Sequence, residues 1–212
     1  MTVKMGLAAL IVAGALASGN VLAMDFKAPD TDYTTMDKGT YILDNSHASV
    51  VWRVWHMGLS NFAGRFDKIT GTARVDPGHL DKCHVTVTID PAKVDTNVAL
   101  LDEHLQGKDW FDVQSFPRIT FESTKLAVGG KDVDGKQAGK LFGNLTLHGV
   151  TRPVVLNVTF NGHGDSPIDN SQRIGFSASG MIKRSDYGMT QYIPIVGDEV
   201  EFRIEVEFSK AA

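Results

Sequence analysis

The chain has seven histidines and one cysteine, so acid–base, metal and thiol chemistry are the first possibilities to weigh. His47 and His56 are nine residues apart in one alternating stretch. An odd separation puts them on opposite faces of a strand unless a bulge intervenes, which keeps them from sharing a metal. Asp102 and His104 are two apart in a helical stretch and do not face one another. No H-x-x-x-H or C-x-x-C pair supplies zinc-ligand spacing. No G-x-S-x-G places a serine on a nucleophile turn, and Ser46, His47 and Asp186 form a triad only on paper. An acid–base enzyme would have to use His56, His104 or Asp102. The competing reading makes Asp44, His47, Asp102 and His104 structural, because buried polar groups near element ends need partners. Cys83 shares strand parity with Val85, Val87 and Ile89 and reads as a buried, inert thiol. As the only cysteine, it excludes an internal disulfide framework.

The elements that position these residues are strands. From Tyr41 to Phe66, Ala48, Val50, Trp52 and Val54 share one parity, and Ser49, Val51, Arg53 and Trp55 share the other. That alternation predicts a strand with one apolar and one wetter face. His56 keeps the apolar parity at the end of the run, before a glycine-containing turn. Seven more alternating runs follow: 69–75, 83–89, 119–123, 141–147, 154–160, 174–182 and 200–208. A short helix is expected between the third and fourth runs. Thr96 or Asn97 can cap it, Leu101 and Leu105 share one face, and Gly107 can end it. Asp109–Asp112 reads as one more helical turn.

About eight antiparallel strands joined mostly by turns predict an all-β, up-and-down barrel, because closure removes exposed edges. A sandwich uses the same alternation. The small residues Ala48, Gly71, Ala73, Gly143, Ala178 and Gly180 at inward positions favour a barrel that leaves space. At this strand number the interior is either filled by side chains or holds one small ligand. The inward set Val50, Trp52, Val54, Ile119, Phe121, Leu145, Phe160, Phe176, Phe202 and Ile204 would line it. The same aromatics could instead fill a solid core, leaving a structural or interaction module.

Residues 1–23 read as a secretory signal peptide. Lys4 precedes an apolar run from Met5 to Ala17, and Val21-Leu22-Ala23 precedes the cut. The run is too short to span a bilayer comfortably, and no other stretch is a spanning candidate. Residues 24–39 are polar and aperiodic, which reads as a flexible arm before a barrel domain at 40–212. The net charge is -4. No basic cluster supports nucleic-acid binding or attachment to anionic lipid by charge.

Several motifs then recur in order. Asp44-x-x-His47-Ala48, Trp52-x-Val54-x-His56 and Gly64-x-Phe66 come first. Asp95-Thr96-Asn97, Asp102-x-His104-Leu105, Phe111-Asp112-Val113 and Phe116-Pro117-x-Ile119-Thr120-Phe121 follow. Gly143 to Val154 and Lys183-Arg184-Ser185-Asp186-Tyr187-Gly188 complete the set. From Thr40 to Phe208 the sequence resembles the YceI-like family of periplasmic polyisoprenoid-binding proteins. It departs at Leu101, where that family often has arginine. The resemblance implies a lipocalin-like barrel, a periplasmic location and a long isoprenoid lipid or quinone in the interior, with no other cofactor. It also implies quinone chemistry nearby, with a membrane b-type cytochrome as partner. The odd-numbered strands end near His56, Ile89, Leu147 and Ile182, which marks one barrel end. His56 and Arg184 keep inward parity there and are the head-group candidates, able to hydrogen-bond a quinone carbonyl or a phosphate.

Overall fold

The computed structural model describes residues 27–211; the signal-peptide expectation for residues 1–23 lies outside them. The elements are β1 (Gly39–His56), β2 (Ser60–Phe66), β3 (Ile69–Val75), β4 (His84–Ile89), β5 (Val94–Asp95), α1 (Ala99–Leu105), β6 (Ile119–Lys131), β7 (Gln137–Leu147), β8 (Val150–Asp165), β9 (Gln172–Lys183) and β10 (Val196–Lys210). All pairings between these strands are antiparallel. The order β10-β9-β8-β7-β6-β4-β3-β1 is closed by β1 on β10. β2 continues β3 as one stave, because β1 pairs with β3 from Gly39 to Ile42 and with β2 from Val50 to His56. β5 extends β4 in the same way, pairing with β2 beyond the turn at Pro91. The result is an eight-stave barrel with one short helix inserted between β5 and β6, not a sandwich.

The period-two alternation sets the wall. In β10, Phe202, Ile204, Val206 and Phe208 face in, and Glu201, Arg203 and Glu205 face solvent. β1 obeys the rule in two halves. Tyr41 and Leu43 are buried at odd positions, Val50 and Val54 at even ones. The switch is a bulge: Leu43 pairs with Phe208, but Ala48 pairs with Val206. Such an insertion turns every following side chain over.

Side chains of the inserted residues hold the bulge. Asn45 Oδ1 accepts the Ile69 N–H at 2.6 Å, and its amide donates to the Asp67 carbonyl at 3.3 Å. Asn45 thereby closes the break between β2 and β3. Asp44 accepts from the Ser46 N–H, from His47 Nδ1 at 2.9 Å and from Arg173 Nη1 at 2.7 Å. His47 and Arg173 hold the Asp44 carboxyl well below the usual carboxylate range. A carboxylate depressed in the folded state stabilises above its unfolded value of about 4, and that contribution fades as pH falls through and below it. The same pairing raises His47, so its contribution is full below the ordinary imidazole value and fades as pH rises past the folded one. Asp44→Asn is therefore expected to lower Tm most between these limits. In melts from pH 7 to 3 the gap to wild type should narrow at the acid end without closing, because the folded carboxyl titrates below that range.

The segment read as a flexible arm is tied down from Asp30 onward. Asp30 and His163 exchange two backbone hydrogen bonds of 2.8 Å. The Asp32 carboxylate caps the turn Tyr33–Thr35, and Thr35 Oγ1 lies 2.9 Å from His163 Nε2. Aspartates that bind nearby backbone amides give order without periodicity, so alternation could not reveal it.

α1 also starts differently from expectation. Its N-cap is Val98, with no side-chain cap. Asp102 instead reaches back to accept the Thr96 N–H at 2.8 Å and the Thr96 hydroxyl at 2.6 Å. The stretch Asp109–Asp112 is a turn, not a helix, with Asp112 at φ 43.

An apolar cavity as the candidate binding site

The barrel encloses a cavity of about 330 Å³, within the ordinary range of ligand pockets, roughly 300–1,000 Å³. Val50, Trp52, Val54, Ile119, Phe121, Leu145, Phe160, Phe176, Phe202 and Ile204 all line it. Trp52, Phe121, Leu145, Phe176 and Ile204 remain half-buried although they point inward. That is how side chains bordering a space differ from those in a sealed core.

Glycines explain why bulky rings leave room. A Cβ placed on Gly64 would collide with the Trp52 ring, one on Gly143 with Phe121, and one on Gly180 with Phe202. Each ring packs against a glycine of the neighbouring strand. A strand glycine marks such a close approach. Gly180→Val is expected to push Phe202 into the cavity. Overpacking should cost about 1–3 kcal/mol, while ligand uptake should fall by a larger factor than the melt suggests. A titration run beside a thermal melt checks this.

The two ends differ. At the α1 end the lining residues Leu105, Met189 and Arg184 are buried, and Trp110 and Phe111 complete a closed cap. At the other end Val128 faces the cavity yet is 39% exposed, and Tyr33, Pro77, Leu80 and Gln137 are half-buried. The wall is incomplete there. β4 and β6 pair only from Thr86↔Glu122 to Ile89↔Ile119. Ser123 Oγ then accepts the Val85 N–H at 2.8 Å, and β6 runs on to Lys131 beside β7 alone. Cys83 borders this seam. It is half-buried and lies just before β4, not within it, with its thiol donating to the Asp76 carbonyl at 3.6 Å. Burial pushes the thiol up from its ordinary value, which keeps it protonated and unreactive.

The expected head-group pair does not form. His56 is exposed and does not line the cavity. Val54 pairs with Val200 but His56 with Val196, so two extra residues on β10 end the regular register there. Arg184 does point in and is 3% exposed, but each of its three nitrogens already donates to a backbone carbonyl. Nε donates to the Gly197 carbonyl at 2.8 Å, Nη1 to Met189 at 2.7 Å and Nη2 to Val196 at 2.8 Å. The Trp110 ring covers the guanidinium at 5.2 Å. Arg184 therefore clamps the strap from Met189 to Gly197 across the barrel end. Ser185 reinforces the clamp by donating to Asp198 through its N–H and hydroxyl. Apart from Arg184, the cavity is bordered by polar groups such as Arg74 and Gln137 at the opposite end.

The acid–base candidates are also separated from the interior. Asp102 is committed to Thr96, His104 stands edge-on to Trp110 at 6.1 Å, and neither they nor His56 line the cavity. Among the described residues no group of three or more His, Cys, Asp or Glu side chains is placed to hold a metal, and no helix is long and apolar enough to cross a membrane.

Fold and site define a closed antiparallel β-barrel with a hollow, apolar interior. The family model for the YceI-like domain matches residues 41–208. The chain is 34% identical over 209 residues to a UPF0312 protein of Pseudomonas fluorescens, covering 98% of each. It is 38% identical over 164 residues to Protein YceI of Salmonella arizonae, covering 77% of this chain and 82% of that one. The chain belongs to the YceI-like family. Among solved structures, Burkholderia cenocepacia BcnA superposes with a TM-score of 0.68 at 26% identity, over 78% of this chain and 98% of that one. A polyisoprenoid binding domain from Saccharophagus degradans shares the fold, with a TM-score of 0.62 at 15% identity over 82% of this chain and all of that one.

Proposed function

We propose that this protein is a non-enzymatic periplasmic carrier that holds a long isoprenoid lipid, of quinone or prenyl-phosphate type, in the barrel. The carrying observation is the apolar cavity, lined by carbon-rich side chains from the α1 cap to the β4–β6 seam. An isoprenoid tail has no hydrogen-bonding groups, so an apolar lining leaves none unsatisfied. Burial contributes about 0.8 kcal/mol per methylene, offset by the ordering of a flexible chain. Kinship of fold with a polyisoprenoid binding domain supports the choice of ligand, and the signal-peptide-like start of the sequence supports the periplasm. Quinone as occupant, serving a membrane b-type cytochrome, is the narrower form of this reading.

A quinone series with one head group and tails of increasing length tests it by titration in detergent. Affinity should rise with each isoprene unit until the cavity is filled, then level off. Affinity independent of tail length would contradict a tail-binding interior.

A further inference from the structure

The closed end of the barrel carries large apolar side chains that are exposed among the described residues. Leu59 is 81% exposed, Met57 60%, Ile195 57%, Trp55 56%, Tyr192 48% and Ile193 38%. They come from two loops that form one surface. The Met57 N–H donates to the Ile195 carbonyl at 2.7 Å, and Gly197 packs against the backbone of Trp55. Residues 55–63 and 189–197 contain no Asp, Glu, Lys or Arg, in a chain that is 22% charged. The patch is continuous with the cavity cap: Tyr192 stacks on Trp110 at 6.2 Å, and Trp110 and Val196 line the interior.

We infer that this rim inserts into the interfacial layer of an electrically neutral lipid bilayer. Protruding loops that combine Trp and Tyr with aliphatic tips fit the headgroup–acyl boundary, where amphipathic rings settle and charges are costly. Protein interfaces surround their apolar centre with a charged and polar rim. Here the polar neighbours within the loops are Ser60, Asn61, Thr190 and Gln191, with His56 the one basic side chain. The chain's net charge of -4 offers no electrostatic pull toward anionic lipid, so partitioning rests on apolar insertion. Docking sets the cap and its Arg184-held strap against the membrane. The choice of a bilayer as occupant rests on reading the cavity as a lipid site; the exposed surface does not.

Flotation of the mature protein with phosphatidylcholine vesicles free of isoprenoids and quinones tests the rim alone. Wild type should float with the vesicles. Leu59→Glu and Ile195→Glu, both on exposed side chains, should each lower partitioning by roughly tenfold. Val133→Glu, at the β6–β7 turn of the opposite end, should leave it unchanged. Leu59→Glu should retain quinone uptake in detergent, which separates failure of the rim from failure of the cavity reading. No flotation of wild type would overturn the inference. So would equal loss in Val133→Glu, or a concentration-dependent dimer in sedimentation that Leu59→Glu abolishes, which would assign the patch to a second copy of the chain.

Discussion

Trp52→Asp is expected to abolish lipid uptake and to cost about 4 kcal/mol or more, among the largest effects of a single change. Trp52 sits mid-stave, its ring against Gly64 and 6.3 Å from Phe62. Aspartate there leaves a space where the ring lay and puts an unpaired charge into a lining without partners. Arg53, one residue on, is exposed and pairs in register with Ala63 and Glu201 on the outer face. Arg53→Ala should stay within about 0.5 kcal/mol of wild type. Thermal melts of the two variants decide the matter. Comparable losses would mean that the inward parity of β1 is misassigned.

Arg184→Ala should produce the second large loss. It removes the donors of three backbone carbonyls, at Met189, Val196 and Gly197. Each buried acceptor left without a partner costs about 1–3 kcal/mol. The strap should then open locally, with faster amide exchange from Met189 to Gly197. Arg184→Lys should recover only part of the loss, because an ammonium cannot reproduce the planar fork. Because each guanidinium nitrogen is already tied to a backbone carbonyl of the strap, Arg184→Ala should weaken quinone and prenyl-phosphate binding to the same degree. A selective loss of the phosphate, with the strap still protected from exchange, would restore Arg184 as a head-group ligand.

The wall of the barrel was legible because a strand writes its burial in period two. Ile204 and Phe202 in β10 could be placed inside from alternation alone. Interior space was hinted at by Gly143 and Gly180, though not the rings lying over them, since Phe121 and Phe202 read equally well as core filling. What escaped is what breaks the period. The bulge at residues 44–47 turns β1 over through hydrogen bonds made by Asp44 and Asn45, and no hydropathy pattern records it. His56 kept inward parity on paper, but the extra residues on β10 leave it in solvent. Arg184 keeps inward parity in the sequence, but nothing local to it records that each of its nitrogens is taken up by a backbone carbonyl. The clamp, the short β4–β6 seam and the docked segment at Asp30 all join residues distant in sequence, where a single chain carries no local signal.

The most direct test of a lipid-holding interior is the content of the barrel as the cell fills it. The protein would be purified without detergent from a bacterium that makes isoprenoid lipids, weighed intact by native mass spectrometry, then extracted with organic solvent. One long-chain isoprenoid per chain is expected, absent from Trp52→Asp material if that variant remains soluble. A wild-type protein that carries no hydrophobic species, and that takes up none when quinone is added, would contradict the account.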